Sequence, residues 1–305
     1  MLSSSVLDRF RLTQIERDLG VYGVHVYQEG EGEVAHRFRA DDPVHVWSAS
    51  KTFTSLAVGM CVDEGRLKLG DEALAFFPEC VSTAAPDSED ITVKNLLQMC
   101  SGKDFSIFEE TSEDVMAVTD WAQLYFAGRQ VTAPGEHFFY CNGNSYMLSR
   151  IVEKVSGSVL RDYLMPRLFG PLHILNPDWN MCPGRHSTGG WGLHITTSQL
   201  AKLGRLLLQD GVWDGKRLVS SDYVKAMHED VVDPQRHFQD EESNAGYGYQ
   251  LWLNTVPGTY RADGMYGQFS IVVPDKRAVI TTTSHNERNA NDIVRAVFSD
   301  IVPQL

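Results

Sequence analysis

What most constrains the fold of this chain is where its two hydrophobic periodicities fall. Alternating, strand-like runs stand near both ends, and helical patterns fill the middle. Residues 21–27 and 34–38 read as strands, and Gly30-Glu31-Gly32 between them supplies the turn of a hairpin. Near the other end, residues 249–253, 260–262, 268–273 and 278–283 carry strand patterns, with Pro274-Asp275-Lys276 turning between the last two. Helices are predicted over 5–18 and 291–301. Others are predicted from Ser48 to Gly65 and over 92–99, 113–126, 144–155, 160–169, 198–209 and 221–228. Strands that far apart, each needing to bury a face, most simply form one antiparallel sheet flanked by the first and last helices. The expected fold class is α/β of the α+β kind, with an inserted all-helical domain. The sheet domain is expected over 1–67 and 186–305, and the helical domain over 68–185. At 305 residues, 43% of them hydrophobic, the chain can build cores for both.

The formal net charge of −13 disfavours nucleic acid and anionic membrane as partners, since both need a basic surface. No run approaches the roughly 18 apolar residues of a membrane span. The first residues, Met1-Leu2-Ser3-Ser4-Ser5-Val6, lack a basic segment followed by an apolar one, so a cytoplasmic location is expected. The five cysteines, at 61, 80, 100, 141 and 182, form no C-x-x-C pair, which suits reduced thiols better than disulfides or zinc. Neither a metalloprotease spacing nor a phosphate-binding loop nor a Gly-x-Ser-x-Gly elbow is present. No metal or cofactor is therefore expected, and the oligomeric state is left open.

Chemistry concentrates at Trp47-Ser48-Ala49-Ser50-Lys51-Thr52-Phe53. Three residues apart at a helix start, Ser48 and Lys51 share a face one turn apart. A hydroxyl and an amine so placed can act as nucleophile and base once burial has stripped the amine of its proton. The unpaired amides of a helix start would favour negative charge forming nearby. Against this, Ser-x-x-Lys arises by chance about once in a chain of this length, and serine caps many helices without chemistry. Taken singly, Tyr140 reads equally as a buried aromatic and Asn142 as a turn residue.

The order of several segments weighs the balance the other way. Ser48-Ala49-Ser50-Lys51 is followed by Ile91-Thr92-Val93-Lys94-Asn95-Leu96-Leu97 with Cys100-Ser101-Gly102. Tyr140-Cys141-Asn142 comes after Pro134-Gly135, then Gly189-Gly190-Trp191-Gly192-Leu193, and then the stretch from Gly211 to Ser220. Together these resemble the serine β-lactamase and penicillin-binding-protein superfamily, above all its class C β-lactamase and esterase branch, which also holds aminohexanoate-oligomer hydrolases. The resemblance runs from about residue 21 to 301. It implies an acyl-enzyme on Ser48, with Lys51 and Tyr140 moving protons and Asn142 bonding Lys51 or the substrate. It also implies an oxyanion hole from the amides of Ser48 and Met265. Gly264 would let the substrate backbone approach its strand, and Trp191 and Tyr266 would shape the substrate site or else pack in the core. Pocket-lining loops at 105–111 and 230–244 are expected to set the substrate.

The sequence departs from the family at its third motif, where a Lys-Thr-Gly or His-x-Gly cation is replaced by Ala262-Asp263-Gly264. Arg261 is adjacent, but neighbouring strand residues point to opposite faces. The resemblance therefore implies a serine hydrolase of a small amide or ester. The rival readings are a true β-lactamase or D-amino-acid peptidase, and a catalytically silent ligand- or partner-binding member.

Overall fold

The computed structural model describes residues 1–103, 116–235 and 237–305. Six strands form one antiparallel sheet in the order Gly32–Arg37, Val21–Gln28, Ala278–Ser284, Gln268–Val273, Tyr260–Gly264, Trp252–Leu253. The two ends of the chain thus meet in the middle of the sheet, where Val26 pairs with Ile280 and Ile280 with Ile271. Because side chains alternate across a strand, these three share a face. They pack with Phe269, Val273 and Val24 against Phe10 of the Asp8–Arg17 helix and against Ile293 and Val294 of the Asn291–Ala296 helix.

The opposite face is partly polar. Ser270 Oγ and Thr281 Oγ1 lie 3.0 Å apart in a cross-strand pair, and Thr283 Oγ1 meets Thr197 Oγ1 at 2.6 Å. The Thr197–Leu208 helix crosses here, started by a reciprocal cap between Thr196 and Gln199. It comes close at Gly204, where a Cβ would stand 2.4 Å from both Ser270 Oγ and Val279 Cγ1.

The Ser50–Asp63 helix is the central element, buried at every residue from Ser50 to Cys61. Its polar side chains find partners, as burial requires. Ser50 Oγ donates to Trp47 O at 2.6 Å, Thr52 Oγ1 to Gln250 O at 2.8 Å and Thr54 Oγ1 to Gly189 O at 2.6 Å. Around this helix one apolar cluster runs from Tyr27, Val272 and Val279 of the sheet through Phe53 and Leu56 to Trp121, Tyr146 and Leu164 of the helical region. All five cysteines are buried and none is in a disulfide. Burial pushes the thiols of Cys61, Cys80 and Cys100 up to about 11.

Several elements differ from the sequence reading, among them the following. The stretch 249–253 shortens to Trp252–Leu253, because Gln250 takes a left-handed φ of 62° and sends its amide to the carbonyls of Leu96 and Leu97. Asn291–Ala296 passes into a wider π turn at Val297–Ile301. Within the span 113–126, the Trp121–Ala127 helix starts at a cap from Asp120 to the Gln123 amide, and residues 113–115 lie outside the described residues. Among the described residues no helix is long and apolar enough to cross a membrane.

Candidate active site

Ser48 sits in a single 3-10 turn, Trp47–Ala49, that runs straight into the Ser50–Asp63 helix. The three-residue spacing then places Lys51 as expected. Its Nζ donates to Ser48 Oγ at 3.0 Å, Asn142 Oδ1 at 2.7 Å and Gly190 O at 2.8 Å. Lys51 is 1% exposed. Burial lowers its pKa to about 7, with the nearby Cys141 and Asp263 pulling the other way. The same three partners suit the neutral amine. Asn142 Oδ1 and Gly190 O can only accept and would take its two N–H groups, while the Ser48 hydroxyl can donate to the lone pair.

Asn142 opens the Asn142–Ser156 helix, and Tyr140 stands just before it. The Tyr140 ring stacks on Trp252 with centroids 5.7 Å apart, and its face lies 4.9 Å from Lys51 Nζ. Its hydroxyl shares a hydrogen bond with Ser48. Burial raises the phenol above its ordinary range, more than the bond to Ser48 lowers it. Tyr140 therefore stays protonated near neutrality. A phenol in that state can donate a proton but is not a base near neutrality.

The third wall is the strand Tyr260–Gly264. A Cβ on Gly264 would lie 2.2 Å from Val46 O and 3.1 Å from Ala49 N. The close approach expected of the substrate is made here by the chain's own turn around Ser48. Beyond it Met265 is exposed, and its amide bonds to no described residue. Tyr266 follows with φ 66°, and Trp47, just before the serine, has φ 49°. Left-handed backbone at bulky residues costs on the order of 1–3 kcal/mol each. The pair is held by contact between the two rings (5.2 Å, edge to face), by Trp47 on His45 (4.2 Å) and by Tyr266 on His285 (4.5 Å).

Ser48, Tyr140, Trp252, Asp263, Gly264, Met265 and Tyr266 line one open cleft of about 420 Å³. Trp191 does not line it. It is 5% exposed, packs 6.0 Å from Trp121 in the core, and accepts the Trp179 indole N–H on its carbonyl. Of the two expected substrate loops, 105–111 lies outside the described residues, and 230–244 supplies Phe238 and Ser243 to the cleft. Ala262 is fully buried in the core cluster, and Arg261 is fully buried as well. Neither brings a cation to the cleft. Sequence reasoning missed the Gly190 carbonyl as a partner of Lys51, although the glycine-rich turn that carries it was conspicuous. It also missed His45, whose Nε2 accepts the Gly192 amide at 2.7 Å. Among the described residues no cluster of side chains could hold a metal.

An antiparallel sheet beside a helical region, with serine, lysine and tyrosine meeting between them, defines a class of hydrolase. The Beta-lactamase family profile matches residues 15–300, and the chain belongs to that family. It is 27% identical over 296 residues to penicillin-binding protein 4 of Amycolatopsis lactamdurans, covering 85% of this chain and 74% of that one. It is 28% identical over 162 residues to protein flp of Staphylococcus aureus (strain N315), covering 51% of this chain and 32% of that protein, so it spans about a third of that relative. In fold it is similar to D-amino acid amidase of Ochrobactrum anthropi SV3, solved with L-phenylalanine amide, with a TM-score of 0.75, 17% identity and 99% of each chain covered. The protein is a Beta-lactamase-family hydrolase.

Proposed function

We propose that the protein cleaves a small amide or ester through an acyl-enzyme on Ser48. The observation that carries this reading is the buried Lys51 Nζ, 3.0 Å from Ser48 Oγ and with a pKa of about 7. A lysine held there can take the hydroxyl proton near neutrality without waiting for a rare deprotonated state. The carbonyl carbon is attacked by Ser48 Oγ, and the oxyanion forms against the amides of Ser48 and Met265, each worth roughly 3–4 kcal/mol in comparable sites. Tyr140, protonated and bonded to Ser48, hands a proton to the leaving nitrogen or oxygen and is recharged from Lys51. Asn142 keeps Lys51 aimed. In the second half, water attacks the acyl carbonyl as Lys51 accepts its proton; the intermediate then collapses, breaking the bond to Ser48 Oγ, which takes the proton back from Lys51 as the acid product leaves.

Buried Ala262 and the carboxylate of Asp263 favour this reading over a β-lactamase or a peptidoglycan peptidase. Both of those bind a substrate carboxylate, and among the described residues neither Ala262 nor Arg261 supplies the missing cation to the cleft. Rates on nitrocefin, p-nitrophenyl esters and D-amino-acid amides separate the three. Incubation with a fluorophosphonate, followed by peptide mass spectrometry, should place one adduct on Ser48, and Ser48→Ala should abolish both adduct and turnover while the protein stays folded. Turnover that persists in Ser48→Ala would remove Ser48 from the mechanism.

A further inference from the structure

The acyl transfer gives Asp263 no task, yet its carboxylate stands in the same cleft as Ser48 and Met265. Its side chain is 22% exposed. One oxygen, Oδ2, accepts the Arg261 Nε–H at 2.8 Å. The other, Oδ1, accepts nothing from the described residues.

Arg261 does not neutralise this group alone. It lies fully buried and outside the cleft lining, on the same strand face as Asp263. Its Nη1 donates to Leu253 O at 2.9 Å and Asn254 Oδ1 at 2.8 Å, and its Nη2 to Glu242 O at 3.1 Å. The Glu242 carboxylate, itself buried, comes within 3.7 Å of the same guanidinium. Two carboxylates thus share one cation, and the cluster carries a formal charge of −1 where it opens to the cleft. Burial raises the Asp263 pKa, and Lys51, when protonated, offsets part of that by favouring the carboxylate; the charges at the rim are otherwise engaged. Arg288 donates to Asp18 at 2.6 Å, and Glu287 pairs with His285 at 3.0 Å. Half-buried carboxylates are stabilised by a cation that can donate hydrogen bonds, and the unengaged Oδ1 is positioned to accept one.

Geometry sets the reach. Asp263 stands next to the end of the strand Tyr260–Gly264 and Met265 just past it, so two residues of chain keep them within about 7 Å. A substrate whose carbonyl oxygen sits at the Met265 amide would bring a group a few bonds away to Asp263.

We propose that Asp263 selects substrates carrying a protonated amine a few bonds from the scissile carbonyl, the ammonium donating to Oδ1 while the carbonyl lies at Ser48. This rests on the Ser48 reading above. It also explains the direction of the sequence departure. Ala262, at the position of the family's cation, is buried in the core, and the cleft-facing group beside it is the Asp263 carboxylate, which attracts an amine and repels an acid.

The test compares four p-nitroanilides chosen for their charge: alanine p-nitroanilide in each configuration, its propionyl analogue without the amine, and the succinyl analogue with a carboxylate. In the wild-type protein, kcat/KM should favour the better alanine isomer over the propionyl compound by roughly tenfold to a hundredfold, the range of a hydrogen bond between charged groups. The succinyl compound should be slowest, and the preference should shrink as salt is raised. Asp263→Asn should bring the alanine-to-propionyl ratio towards one. Equal or reversed rates in the wild type, or an unchanged ratio in Asp263→Asn, would overturn the assignment. Should Asp263→Asn fail to fold for want of its bond to Arg261, the wild-type ratios and their salt dependence decide alone. Calorimetric binding to Ser48→Ala separates this claim from the mechanism. A preference for alaninamide over lactamide there supports Asp263 even if Ser48 proves not to be the nucleophile, and no preference refutes it.

Discussion

At Lys51 one side chain is asked to be both buried and basic. Its three partners satisfy either protonation state, so neither form leaves a donor or acceptor stranded. Only the neutral form can accept the serine proton. Activity should therefore fall as pH drops through about 7, with log kcat/KM losing close to one unit per pH unit below it. A profile flat from pH 5 to 9 would mean that Lys51 is not the base. Lys51→Arg, which stays charged and is bulkier, should lose activity by a factor of about 10³ or more, in line with the loss of a general base beside its nucleophile. Tyr140 adds no break near neutrality, because burial holds its phenol protonated throughout that range.

At the scale of elements, the site depends on how closely the strand Tyr260–Gly264 passes the turn Trp47–Ala49. Gly264→Ala would drive a methyl group into Val46 O, a backbone atom that cannot step aside. Overpacking of this kind costs about 1–3 kcal/mol, and relief by separation would pull the Met265 amide from Ser48. Denaturant melts should show the lost stability, and the residual folded protein should react more slowly with a fluorophosphonate. Much of this arrangement was legible in the chain. The three-residue spacing of Ser48 and Lys51 needs only helical geometry, and the hairpin and the later strands follow from period-two patterns bounded by glycine and proline. What periodicity does not carry is the contact between distant turns. Nothing local to Gly190 says that its carbonyl faces Lys51. Nor does the aromatic run near Trp191 distinguish a core residue from a cleft residue, since both are large and apolar. The left-handed backbone at Trp47 and Tyr266 was equally hidden, because propensity assigns such angles to glycine and asparagine.

On the scale of the whole molecule, the sheet's inner face and the helical region share one apolar cluster threaded by the Ser50–Asp63 helix. The sheet has a second cluster on its outer face under the terminal helices, but its inner face and the helical region close only on each other, so neither should persist when the other melts. Scanning calorimetry should give a single transition whose calorimetric and van't Hoff enthalpies agree, and two resolved transitions would show that the helical region holds together alone. The same packing decides how the protein meets oxidants. With all five thiols enclosed, and with burial raising the pKa of Cys61, Cys80 and Cys100 to about 11, the folded chain offers peroxide or electrophiles almost no thiolate. Thiol chemistry then waits on opening of the structure. Modification marks molecules that have already come apart, and the cysteines keep a chemical record of past unfolding rather than causing it.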